Sequence, residues 1–133
     1  MIRLIATIAL SLTIVSCCGC KVNNAKQKKM LSTTQWQVVG TENDSFTINF
    51  DPVKGEIFGR GACNSYFGAY TTEGKNGITI EPRGMTRMAC NDDGAEQRFI
   101  DMLAKADEFA FDGKQLVLLD DGATIATFAS YQE

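Results

Sequence analysis

From Thr34 onward the chain is built of short apolar runs separated by turn residues. In Phe46-Thr47-Ile48-Asn49-Phe50 apolar and polar residues alternate with period two, as in a strand with one buried face. Comparable runs rich in β-branched and aromatic residues span Gln35 to Thr41, Glu56 to Ala62, Ser65 to Thr71, Ile78 to Ile80, Glu108 to Phe111, Gln115 to Leu119 and Ala123 to Tyr131. Between them lie turn signals: Asp51 to Gly55, the polar loop Thr72 to Gly77, Asp112-Gly113-Lys114 and Asp120-Asp121-Gly122. Gly59, Gly61 and Gly68, inside otherwise regular runs, predict bends or bulges. The run Leu116 to Leu119 is apolar on both faces, which predicts a central strand or one covered by a helix.

One segment changes period. Ala95, Phe99, Met102, Leu103 and Ala106 recur at helical spacing. They predict a helix from Asp93 to Ala106, capped by Asp93 with Glu96 three positions later completing a capping box. Glu96, Arg98, Asp101 and Lys105 are expected on its solvent side. About eight strands and one helix make an α+β domain, mainly antiparallel β. The expected form is a strongly curved sheet or cracked β-barrel wrapped on the helix.

Before this domain the composition is different. Met1 to Ser16 carries Arg3, then an apolar stretch from Leu4 to Val15, and reads as a signal peptide; the stretch is shorter than the ~20 residues of a spanning helix. Ile14-Val15-Ser16-Cys17 is similar to a bacterial lipobox, which places a lipid on the Cys17 thiol and, after cleavage, on its amine. Each buried methylene adds ~0.8 kcal/mol, so two or three acyl chains hold where one would not. Residues 17 to 33 are expected to be a lipidated flexible tether whose lysines can meet anionic headgroups, leaving 34 to 133 as the folded domain. These expectations describe an exported protein, lipid-anchored to an envelope membrane (the outer one) with palmitate-type acylation.

Composition narrows the chemistry. The 133 residues carry a formal charge of −3 and no histidine. Ser-His-Asp and Cys-His catalysis and histidine metal sites are excluded, and a mildly acidic chain lacks the charge footprint of a nucleic-acid binder. The best raw material for acid–base chemistry is Asp92 with Asp93 and Asp120 with Asp121, but turns and caps want aspartate at such positions anyway. Of five cysteines, Cys63 and Cys90 lie inside the domain. In an oxidising compartment they are expected to form a structural disulfide, whose closure is put at ~3–4 kcal/mol by chain entropy; the alternative is two buried thiols. Cys17-Cys18-Gly19-Cys20 is no metal cluster, because it sits beside the lipid with one thiol consumed. No metal or cofactor is expected.

Several runs converge on one family. Trp36 opens the domain; Gly61-Ala62-Cys63-Asn64-Ser65-Tyr66-Phe67-Gly68-Ala69-Tyr70 follows a strand; Met85-Thr86-Arg87-Met88-Ala89-Cys90 precedes the helix; Glu96 and Phe99 to Leu103 fill it. From Trp36 to Phe128 the sequence resembles the META domain family, that of the heat-inducible protein HslJ, with Asn91 where many relatives have proline. The resemblance implies a cracked barrel with one helix and an association with the envelope or with stress. It implies no catalytic residues. Trp36, Asn64, Tyr66, Gly68, Tyr70, Thr86, Met88 and Glu96 are expected to be structural positions of its motif, with Asn64 in a left-handed turn.

The function expected on these grounds is a non-catalytic, monomeric envelope module that acts by binding another envelope component. A small apolar-ligand binder, taking a lipid tail between helix and sheet, is the alternative; an apolar cavity beneath Phe99 and Met102 would support it. An enzyme ranks third.

Overall fold

The computed structural model describes residues 24–40, 45–89 and 91–132; Cys17 and Cys90 lie outside them. Eight strands run in sequence: β1 (Trp36–Val38), β2 (Thr47–Asp51), β3 (Glu56–Arg60), β4 (Ser65–Glu73), β5 (Gly77–Met85), β6 (Glu108–Asp112), β7 (Gln115–Asp120) and β8 (Ala123–Ser130). Each pairs antiparallel with the next, and β8 pairs back onto β1 through Trp36↔Ser130 and Val38↔Phe128, closing a ring. Among the described residues two helices accompany them: α1 (Asn24–Thr33) before β1, and α2 (Ala95–Lys105) between β5 and β6.

The ring is unevenly sewn. β4 and β5 are paired along their whole length, whereas β5 and β6 share the single register pair Gly77↔Glu108. Two backbone bonds flank that pair, from Ile78 N–H to Asp107 O and from Phe109 N–H to Asn76 O. Beyond it the strands part, and α2 packs against β5 at the opening. This is the cracked form of the expected barrel, an α+β fold dominated by antiparallel strands.

Period-two patterning does what elementary chemistry requires. Trp36, Ile48, Phe50, Ile57, Tyr66, Ile78, Ile80, Phe109, Leu116, Leu118 and Phe128 all point inward and are buried. Val117 and Leu119, on the opposite face of β7, are half-buried, and that strand lies between the fully paired β6 and β8. Gly68 sits at a register shift of β4 on β5, a bulge as its position suggested. At Asp121-Gly122 both residues have positive φ (49° and 77°), the backbone of a tight type I′ hairpin turn.

Two expectations about the helices need correction. The segment expected to be flexible tether is helical from Asn24 to Thr33, and Leu31 in it is buried. No apolar stripe announces α1, because Leu31 is its single buried residue. It is fixed by tertiary contact: the Trp36 indole N–H donates to Leu31 O at 3.0 Å, satisfying a carbonyl that the helix end leaves without a partner. The hydroxyl groups of Ser32 and Thr33 also bond back to carbonyls of Lys28 and Lys29.

The second correction concerns α2. It begins at Ala95, after Gly94 in the left-handed conformation, and Asp93 makes no cap. Its carboxyl neighbour does. Asp92 accepts from the amides of Gly94 (3.2 Å) and Glu96 (2.9 Å). These amides, the Glu96 one first, hold the Asp92 carboxylate below the usual carboxylate range, with Arg98 adding a smaller pull. Glu96 is not on the solvent side but buried. It is spent on another part of the fold.

Candidate functional site

The residues of the two motif runs meet at the end of the ring where β3 passes into β4 and β5 passes towards α2. Asn64 is at the centre, 5% exposed. Its backbone N–H donates to Glu96 Oε1 at 2.9 Å and its side-chain Nδ2 to Glu96 Oε2 at 2.8 Å, so both carboxylate oxygens are engaged by one residue. Its Oδ1 accepts from the Thr86 hydroxyl (2.9 Å) and from Met88 N–H (2.6 Å), while Nδ2 also reaches Met88 O at 3.3 Å. The carboxamide thus meets the Met88 peptide as a neighbouring strand would, donor to acceptor and acceptor to donor. Thr86 Oγ1 in turn accepts from Ser65 N–H (3.1 Å).

This arrangement corrects the expected role of Asn64. Its φ is not positive, and its side chain bonds Glu96, Thr86 and Met88 far along the chain, with one long contact to its neighbour, from Nδ2 to Cys63 Sγ at 3.7 Å. It also explains Gly61. A Cβ there would stand 2.2 Å from Glu96 Oε1 and 2.6 Å from its Cγ, so only glycine lets the carboxylate reach Asn64. Charge-assisted bonds of this kind contribute more than neutral ones, and a buried carboxylate without them would be costly.

The knot holds one extended segment in place. Residues Thr86 to Ala89 are exposed, Met88 by 60% although its backbone is pinned. Beside them is a shallow groove of about 470 Å³ lined by Asn64, Met85, Thr86, Arg87, Met88, Ala89 and Gln97. It offers a guanidinium, two thioethers and amide groups, which suits recognition of a surface. It brings no nucleophile–base pair together.

The other motif residues are elsewhere. Trp36 is in the core, 5.8 Å from the Phe111 ring. Tyr66 is buried and donates its hydroxyl to Thr47 O at 2.6 Å. Burial pushes its phenol far above the ordinary tyrosine range, with Tyr131 adding to the shift, so it remains a neutral donor. Tyr70 is half-buried, edge-on to Phe50 at 5.0 Å, and its phenol is raised by burial and then by the nearby charge of Asp51. Gly68 faces Pro82 across the bulge, where a Cβ would strike Glu81 O. Cys63 is at the site itself, its Sγ 3.7 Å from Asn64 Nδ2 and 4.0 Å from Met88 O. The aspartate pairs serve local geometry: Asp92 caps α2, and Asp121, with positive φ, donates its N–H to Asp107.

Sequence reading missed three contributors: Asp92 as the cap, Thr47 as partner of Tyr66, and Arg87 in the groove. Arg87 stands inside the second motif run, so its place was available; the contact of Thr47 with Tyr66 leaves no mark in spacing. Beneath Phe99, where an apolar cavity was sought, the rings of Phe46, Tyr66 and Phe128 lie 4.9, 5.9 and 6.5 Å from it.

An antiparallel ring cracked at one seam, with a helix packed on β5 and an Asn–Glu pair locking one end, defines a class of small β domain. The META domain profile matches residues 29–132, and the chain belongs to the META domain family. Two solved structures share its fold. A DUF4847 family protein from Bacteroides vulgatus is 17% identical with a TM-score of 0.61, over 80% of this chain and 99% of that one. A protein from Burkholderia xenovorans is 22% identical with a TM-score of 0.63, over 84% of this chain and 90% of that one. The comparison with curated proteins found no match.

Proposed function

We propose that this META domain protein is an exported lipoprotein of the cell envelope that acts by binding another envelope component, in the service of envelope integrity or the stress response, and not by catalysis. Residues 1–16 would direct export, Cys17 would carry the acyl chains, and Cys63 would pair with Cys90. The observation that carries the binding reading is the Asn64–Glu96 lock. A buried network of carboxylate and carboxamide bonds is spent on fixing an exposed segment, Thr86 to Ala89, whose side chains include a methionine and an arginine. Rigid presentation of such groups favours recognition, since less freedom is lost on association. The packed interior weighs against a lipid tail held inside the ring.

The test uses the full mature chain with its anchor, bound to a support and exposed to detergent-solubilised envelope. The expected result is a defined partner retained by the native chain and lost with Arg87→Glu or Met88→Asp, at unchanged melting temperature. A partner set indifferent to both substitutions sinks the groove as the binding site. Mass analysis of the unreduced mature protein checks the anchor and the disulfide together, by the acyl mass on Cys17 and the Cys63–Cys90 linked peptide.

A further inference from the structure

Four large apolar side chains stand exposed among the described residues, Val53, Phe58, Phe67 and Met88, and two of them are neighbours. Phe58 on β3 and Phe67 on β4 are register partners on the outer face of the ring, 51% and 59% exposed. Gly84 continues the row on β5. A Cβ on Gly84 would stand 2.9 Å from the Phe67 ring, so the glycine gives that ring a seat and fixes its position. Ala69, half-buried, widens the patch. A contiguous pair of aromatic rings on a surface, unlike a lone one, marks a place of contact.

Charge on either side of the row is opposite in sign. Exposed and buried residues alternate strictly from Glu56 to Arg60, so Glu56, Phe58 and Arg60 share the outer face of β3. Glu56 lies two residues before Phe58 and Arg60 two residues after it, each about 7 Å away along the strand. Neither is in an ion pair among the described residues. Neighbouring charges are balanced locally. Glu81, level with Glu56 on the far side of Ala69, is paired with Arg83 at 3.4 Å. Asp51, beside Glu56 on β2, accepts from the amides of Val53 and Lys54. Level with Arg60 are Ser65 and then Thr86, which bring no charge.

This arrangement is complementary to itself. Half a turn about an axis above the row Phe58–Phe67–Gly84 lays a second copy face to face on the first with its strands reversed. Phe58 then meets Phe58 of the other copy, Phe67 meets its counterpart, and each Glu56 faces the other copy's Arg60. An axis along the strands would instead set Glu56 on Glu56 and Arg60 on Arg60. We infer that the chain self-associates through the outer face of β3 and β4 as a two-fold dimer, centred on Phe58 and Phe67 and held in register by two Glu56–Arg60 pairs. This replaces the monomer expected from the sequence and needs neither the anchor nor the partner proposed above. The two rings offer roughly 200 Å² per copy, well short of the ~800 Å² per partner of a standard interface, so the dimer is weak, dissociating near ~100 μM.

The experiment takes the full mature chain in detergent, with micelles in molar excess over chains, and follows its sedimentation as concentration rises. A monomer–dimer equilibrium is expected, and Phe58→Asp should abolish it. Arg60→Glu and Glu56→Arg should each weaken it at least about tenfold, since each sets like charges together twice. The chain carrying both substitutions should recover the native strength. So should an equimolar mixture of the two single variants, because each then supplies what the other has lost. These are surface positions, so melting temperatures should stay near the native one. A chain that is monomeric up to ~1 mM, as it would be if this face served a different protein, overturns the dimer. Association that survives Phe58→Asp overturns the face. A double variant as weak as the single ones overturns the two-fold pairing.

Discussion

At the end where α1 enters, the ring is closed by apolar packing: Leu31 and Trp36 are almost fully buried, and a neutral bond from the indole to a carbonyl is the polar contact between them. At the opposite end the closure is polar, with buried Glu96 and Asn64 and the exposed Thr86 in a network of bonds between 2.6 and 3.3 Å around one carboxylate. Apolar packing is forgiving in direction, because dispersion and water exclusion do not depend on angle. Hydrogen bonds to a carboxylate do depend on it. The first end supplies stability with loose geometric demands; the second fixes where one exposed segment sits. A fold that needed only to stay closed would gain little from the second device, since replacing a buried ionic group by apolar residues is often neutral or stabilising.

The contrast can be broken or sharpened by substitution. The largest effect is expected at the apolar end. Trp36→Ala should cost about 3–5 kcal/mol, seen as a lower midpoint in urea with amide exchange accelerated throughout the ring. A loss confined to α1 would mean that this end is not part of the common core. Next comes Glu96→Ala, at about 2–3 kcal/mol for the amide and carboxamide left unbonded. Here the Met88 amide should exchange faster well before that of Phe109, which is bonded to Asn76 in the seam. Equal acceleration of both would remove the distinction between the ends.

Gly61→Ala should resemble Glu96→Ala, because its methyl group would take the place of the carboxylate. In the double variant the second substitution should add little, and a double-mutant cycle reads that coupling; additive costs would show that Gly61 matters for its backbone alone. Tyr66→Phe should cost about 1–2 kcal/mol for the lost bond to Thr47 O. The raised phenol pKa gives a sign as well. Its contribution is complete below the ordinary tyrosine value near ~10 and is lost as pH rises above it, so native protein should weaken in alkali more steeply than Tyr66→Phe. The smallest effect is at Asp92. Its depressed carboxyl stabilises above the ordinary aspartate value near ~3.9 and loses that contribution as pH falls, and Asp92→Asn should flatten the acid limb of the stability profile. An unchanged acid limb would mean that the cap is not formed in solution.

Much of the fold was legible. Strict alternation in Phe46 to Phe50, and glycine-bearing turns at intervals, mark all eight strands, because burial of one face of a strand has only one period to write in, although β5 runs on to Met85 where only Ile78 to Ile80 was read. The helix was legible for the same reason, from Ala95, Phe99, Met102, Leu103 and Ala106 at helical spacing. α1 was not, since a polar sequence with a single buried leucine has no period to read. The candidate site was legible in membership and not in use. Asn64, Thr86, Met88 and Glu96 were all picked out, yet Glu96 was assigned to a cap and to solvent. A carboxylate three residues past an aspartate fits a capping box by local rules, and a partner more than thirty positions away is invisible to them.

The sequence by itself determined the class of fold, the inward set of apolar residues, the signals for export and acylation as expectations, and the absence of histidine chemistry. These follow from composition and from periods of a few residues. Only the tertiary structure decided that β8 returns to β1, that the seam falls between β5 and β6, that Asp92 rather than Asp93 caps α2, and that Asn64 is bonded to Glu96. Each of those depends on which distant groups meet once the chain has closed, and closure is settled by the sum of the packing, which no single stretch of the chain encodes.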